Sequence, residues 1–233
     1  MNQKSQFELL KSRRFKPYFM AQFLGAFNDN LFKNALLIIV AYGGTRSLQE
    51  ISVINNIASG LFILPFFIFA MVAGQMADAL DKATIIRRLK FTELLLALCA
   101  VPALLTHNIE WMLIVLAGFG LQSAFFAPAK YSILPQHLHP SEVVGGNAMV
   151  QMGTFVAILA GTLIGGLMSA QVDLLPYLAG LIVLVAVVGA FYGRKVPPAP
   201  PFRERPAKWN WNVVAVAIKS TRDIRRFRGV LLA

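Results

Sequence analysis

Asn28, Asp29 and Asn30, with Lys33 one helical turn further on, interrupt the apolar stretch 21–40, AQFLGAFNDNLFKNALLIIV. A carboxylate, two amides and an ammonium are costly at this depth of an apolar segment, which marks them as groups that face protein or water rather than lipid. A second cation, Lys130, follows Pro128 in Phe125-Phe126-Ala127-Pro128-Ala129-Lys130-Tyr131. Proline removes a backbone hydrogen bond and bends the helix, and an ammonium beside the freed carbonyls is a natural seat for a phosphate; the plainer alternative is a lysine snorkelling to the interface.

The elements that carry these groups are membrane helices. About 20 residues at 1.5 Å each cross a hydrocarbon core of roughly 30 Å. An ionised side chain at the helix centre costs about 2.5–3.5 kcal/mol, and each apolar residue of the run 36–40 returns about 0.3–0.6. The helix inserts, with Asp29 and Lys33 turned toward protein or a water-filled cavity. Gln22, Gly25, Asp29 and Lys33 recur at spacings of three and four, which makes one polar stripe and predicts the lining of a pathway.

Composition agrees. The 233 residues are 57% hydrophobic and 14% charged, with apolar blocks too long for soluble core helices. We read six spans, 16–42, 51–77, 85–105, 111–134, 143–170 and 174–192, and hence an all-α transmembrane bundle over 16–193. The net charge of +11 does not point to nucleic acid, because the bases are segregated by loop. Lys4, Lys11, Arg13, Arg14 and Lys16 precede the first span, Lys82, Arg87, Arg88 and Lys90 follow the second, and everything after 192 is basic. The positive-inside rule then puts both ends in the cytoplasm, with 1–15 a cytoplasmic tail. Pro197, Pro198, Pro200 and Pro201 mark a stiff linker over 194–207. Residues 208–228 set Trp209, Trp211, Val214, Ile218 and Phe227 beside Lys219, Arg222, Arg225, Arg226 and Arg228, as in a helix lying on anionic membrane lipids or a plain basic anchor. Residues 229–233 read as the start of a seventh, truncated span. The lone Cys99 gives no disulfide, and His137 and His139 have no further metal ligands nearby; neither metal nor cofactor is expected.

Between the second and third spans, Gly74 stands one turn before Asp78, followed by Asp81, Lys82, Arg87 and Arg88. A glycine lets helices approach and an aspartate bonds helix amides or a base, which suits a conformational latch; an ordinary charged loop is the alternative. In the third span Glu93 lies three residues after Lys90, the spacing of a local ion pair. In the fifth, Asn147, Gln151 and Thr154 share a face, and Gly153, Gly161, Gly165 and Gly166 read as packing sites.

The 74–82 loop resembles the one between the second and third helices of the major facilitator superfamily, with Ala79 and Ala83 where that family has a base and a glycine. Ala21-Gln22-Phe23-Leu24, Ala26-Phe27, Asp29-Asn30 and Pro128-Ala129-Lys130-Tyr131 add a resemblance to its lysophospholipid transporter branch, including the version fused to an acyltransferase and an acyl-carrier-protein synthetase. The resemblance implies the six-helix N-terminal half of a bundle, with two repeats of inverted topology and a site facing a second half. It also implies movement of lysophospholipids, chiefly lysophosphatidylethanolamine, across the bacterial inner membrane by alternating access. Under that resemblance Asp29 would sense a coupling cation, sodium or proton, or the ethanolamine amine, Lys130 would attract the phosphate, and Phe125 and Phe126 would border a groove for the acyl chain. A cation-coupled exporter of amphipathic molecules, a scaffold, and the membrane half of a bifunctional transporter and acyltransferase remain as alternatives. Within the chain itself no acyltransferase pattern or nucleotide-binding glycine loop points to an enzyme.

Overall fold

The computed structural model describes residues 6–44 and 46–201, which are helical with short connections. The long helices are α1 (Lys16–Tyr42), α2 (Leu48–Ala79), α3 (Lys82–Leu105), α4 (Ile109–Ser132), α6 (Pro140–Ser169) and α7 (Leu175–Arg194); α5 (Leu134–His137) is a single turn. Three starts lie a few residues ahead of the apolar blocks because polar caps set them. Ser47 and Glu50 form a capping box on α2, Asp81 accepts from the Thr84 amide at 2.7 Å on α3, and Asn108 accepts from the Trp111 amide at 2.9 Å on α4. Pro128 lies inside α4, whose helical backbone continues on both sides of it.

Five of these helices, with α7 taken from Val172, are long and apolar enough to cross a membrane. The third predicted span differs. At 24 residues α3 has the length, but Lys82, Arg87, Arg88, Lys90 and Glu93 load its first half, so composition alone does not mark it as a crossing. It nevertheless packs along α7 and α4 inside the bundle.

Exchanging the first three long helices for the last three preserves the most extensive helix contacts, though not the smaller ones. α1 lies along α6 as α4 lies along α2, α1 meets α7 as α4 meets α3, and the α3–α7 contact maps onto itself. Small residues make the first contact close. A Cβ on Gly161 would stand 2.5 Å from the Phe27 carbonyl oxygen, and one on Gly165 would strike that of Leu31. Apolar packing forms two clusters. Leu31, Phe32, Leu36, Leu104, Leu116, Phe119 and Ile182 build one; Phe15, Tyr18, Ile86, Ala129, Ile133 and Val150 build the other. Between these clusters α1 places Gln22, Asn28, Asp29 and Asn30, α3 Lys90 and Glu93, and α4 Gln122 and Ser123, so polar side chains interrupt the core. Outward faces carry exposed Phe67, Ile114, Phe155 and Leu159, as a lipid-facing surface requires.

The segment before α1 is more than a loose tail. Gln6–Lys11 is a 3-10 helix with Leu9 buried, and Arg14 pairs with Glu142 at 2.7 Å and donates to the His137 carbonyl at 3.1 Å. The expected interfacial helix at 208–228, the truncated span at 229–233 and most of the second half of the linker lie outside the described residues.

Candidate functional site

α1 presents its polar stripe to three neighbours. Asp29 is 6% exposed, and its Oδ2 shares a hydrogen bond with the Ser123 hydroxyl on α4. Ser123 Oγ lies 3.1 Å from Gln122 Oε1, and Gln122 Nε2 donates at 3.4 Å both to Glu93 Oε2 and to the Leu89 carbonyl on α3. Lys90 Nζ closes the chain on Glu93 Oε2 at 2.5 Å, with both side chains 1% exposed. The local pair expected from spacing is thus formed, but deep in the bundle. Glycine makes room for it: the Lys90 stem passes 3.0 Å from where a Gly193 Cβ would be, and a Cβ on Gly25 would strike Nζ.

Further along the stripe, Gln22 joins Lys130. Lys130 Nζ donates to Thr154 Oγ1 on α6 at 2.6 Å, and that hydroxyl stands 3.1 Å from Gln22 Oε1 and 2.8 Å from the Val150 carbonyl. Tyr18 anchors the other side by donating to the Lys130 carbonyl at 2.5 Å. Among the described residues no other acceptor reaches the Lys130 ammonium, which leaves two of its three N–H groups uncommitted. It lies 5.4 Å from the centroid of the Tyr131 ring.

Other expected site residues sit differently. Asn28 is wholly buried, and its amide has no hydrogen-bond partner among the described residues, so it does not line an open path here. Lys33 lies 5.4 Å over the ring of Phe62 on α2. Phe125 packs against Phe69 with centroids 5.7 Å apart and is half-buried, whereas Phe126 turns into the core, 9% exposed, beneath Lys90 Nζ at 5.6 Å. The two rings diverge because a residue one position along a helix is rotated about 100° from its neighbour. A cavity of about 300 Å³ lined by Arg46, Gln49, Glu50, Val53 and Ile54 lies at the α1–α2 connection, away from these groups.

The 74–82 loop is wired through Asp81. A Cβ on Gly74 would meet nothing within 4 Å, so this glycine provides no close approach in this arrangement, and exposed Asp78 makes no hydrogen bond or ion pair among the described residues. Asp81 instead accepts from the Ala199 amide at 2.8 Å, and the Lys82 amide donates to the Ala199 carbonyl at 3.0 Å. Arg87 donates to the Val196 carbonyl at 2.9 Å and Gln136 to that of Pro200 at 2.9 Å, while His137 Nε2 lies 3.3 Å from the Pro198 carbonyl. Arg88 takes no part in these bonds. Burial alone would raise the Asp81 carboxyl, but the amides of Thr84 and Ala199 hold it below the usual carboxylate range. Burial pushes the His137 imidazole down.

Sequence reasoning passed over Gln122 and Ser123. The available signal was two adjacent polar residues within the apolar run 111–129.

A helical bundle with membrane-length apolar helices and polar groups between its apolar clusters defines a multi-pass membrane protein. The model of the Major Facilitator Superfamily matches residues 18–232, and the chain belongs to that family. Proteins named "Lysophospholipid transporter LplT" from Escherichia coli O1:K1 / APEC and from Escherichia coli O45:K1 (strain S88 / ExPEC) are each 30% identical to it over 208 residues, 89% of this chain and 48% of theirs. The protein of that name from Escherichia coli (strain SE11) is 30% identical over 207 residues, 88% of this chain and 48% of its own. The chain thus spans about half the length of the curated relatives it matches. No solved structure matches significantly.

Proposed function

We propose that this chain forms the first half of a secondary transporter that moves lysophospholipids across the bacterial inner membrane by alternating access. The name of the relatives supports the substrate class, and the distribution of bases supports cytoplasmic placement of both ends. The observation that carries the reading is Lys130: a half-buried ammonium with two unspent donors at the end of a polar stripe is suited to a phosphodiester. Gln22 and Thr154 hold it in place, Phe125 with Phe69 offers an aromatic wall for the single acyl chain, and Asp29 takes the coupling cation or the ethanolamine amine. Lys33 lies on the same stripe. The α2–α3 connection, through Asp81, Lys82 and Arg87, latches one end of the bundle.

Initial uptake of labelled lysophosphatidylethanolamine into membrane vesicles containing the native full-length protein tests this. Asp29→Asn is expected to abolish uptake at normal expression. Normal uptake by that variant removes the role of Asp29. Drug resistance without any lysolipid movement by the unmodified protein favours an exporter of other amphipathic molecules.

A further inference from the structure

Three side chains, Glu93, Gln122 and Ser123, link the Lys90 ammonium to Asp29, and their hydrogen-bonding capacities fix which way the chain of bonds must run. Glu93 is ion-paired to Lys90 and so acts as an acceptor, and the Leu89 carbonyl is an acceptor by nature. Gln122 must therefore turn its NH2 toward both, which directs its Oε1, a pure acceptor, at Ser123 Oγ 3.1 Å away. A hydroxyl has one proton. If Ser123 donates it to an Asp29 carboxylate, Oγ and Gln122 Oε1 face each other with no proton between them. If Ser123 donates it to Gln122, Asp29 must supply the proton for its own bond with Ser123.

A second observation points the same way. Asp29 Oδ1 is buried with no donor among the described residues, which is costly for a carboxylate oxygen and much less so for the carbonyl of a neutral acid. The surrounding charges do not reverse this. α3 contributes Lys90 and Glu93, ion-paired through Glu93 Oε2, with Lys82, Arg87 and Arg88 confined to its first two turns, and on α1 itself Lys33 lies over Phe62 and makes no ion pair among the described residues. α4 carries Lys130, bonded to Thr154, and Glu110 in its first turn. On α2 the charges are Glu50 and Asp78 near its ends, on α6 Glu142 at its start, and on α7 Arg194 at its end.

We propose that the Lys90–Glu93 pair is a positioning device: it orients Gln122 and, through Ser123, selects the protonated form of Asp29 in this conformation. The step is simple addition of one proton to the Asp29 carboxylate. The inference rests on the transport reading for its consequence, which is that the coupling cation is a proton, and release of the proton would accompany any rearrangement that separates α1 from α4.

Infrared difference spectroscopy of the full-length protein in lipid nanodiscs, titrated without lysolipid, tests this apart from transport. The expected result is a protonated-carboxyl carbonyl band near neutral pH that disappears in Asp29→Asn. In Gln122→Met, which changes no charge, Ser123 is free to serve a carboxylate, and proton affinity at Asp29 is expected to fall by about tenfold. The double variant Lys90→Met with Glu93→Gln, which keeps the local charge at zero, is expected to shift it in the same direction. Absence of the band from the unmodified protein, or an unmoved titration in Gln122→Met, overturns the proposal. Loss of lysolipid uptake with the spectroscopy unchanged would leave it standing and count against the transport reading alone.

Discussion

The Asp81 carboxylate accepts from the backbone amide of Ala199 at 2.8 Å, across 118 residues of chain. With the bonds from Lys82, Arg87 and Gln136 it fastens the proline-rich segment after α7 onto the connections at one end of the bundle, where Val196 and Ala199 are each 1% exposed. Proline makes such a strap economical: it lacks N–H groups that would otherwise need partners, and its extended backbone is pre-ordered.

Asp81→Ala should release this strap. Hydrogen exchange at the Ala199 amide is expected to accelerate by about tenfold, the effect of one lost charge-assisted bond, while α4–α6 amides stay protected. Equal acceleration across the bundle would mean general destabilisation instead.

Acid should act on the same contact. The Asp81 carboxyl is held below its ordinary value, so its contribution is fully present above the unfolded value, about 3.9, and is lost as pH falls through the folded one. Ala199 protection, corrected for intrinsic exchange, is expected to be flat around neutrality and to fall only in acid below the normal carboxylate range.

Removing one member of the Lys90–Glu93 pair leaves the other charge buried and unpaired. Lys90→Met alone is expected to cost about 3–5 kcal/mol, and the Lys90→Met, Glu93→Gln double variant markedly less. Thermal unfolding in detergent compares them, and equal losses in the two proteins would show that the pair is not coupled.

The glycines separate into two kinds. Gly161→Ala drives a methyl into the Phe27 carbonyl and is expected to cost about 1–3 kcal/mol, whereas Gly74→Ala enters open space and is expected to be neutral or stabilising. The same unfolding measurement ranks them.

Lys130→Gln removes the ammonium but keeps a donor to Thr154. Initial uptake of labelled lysophosphatidylethanolamine by the full-length protein is expected to fall by about tenfold or more, as loss of a charge-assisted phosphate contact implies. Unchanged uptake would count against the phosphate role.

The helical bundle was legible in the chain itself. Apolar block length is a local property, and α1 occurs at 16–42 as read. The spacing of Lys90 and Glu93, the stripe of Gln22, Gly25, Asp29 and Lys33, and the packing glycines of the fifth span were equally local. What each group would touch was not. That Phe126 is core while Phe125 is half-buried, that Asp81 rather than Asp78 carries the wiring of the loop, and that Ser123 and Gln122 join Asp29 to Glu93 all depend on where three other helices stand. Helical periodicity specifies which residues share a face, but a hydrogen bond needs a partner within about 3.5 Å in a given direction. Only the packing of α1, α3, α4 and α6 against one another decides that distance and direction.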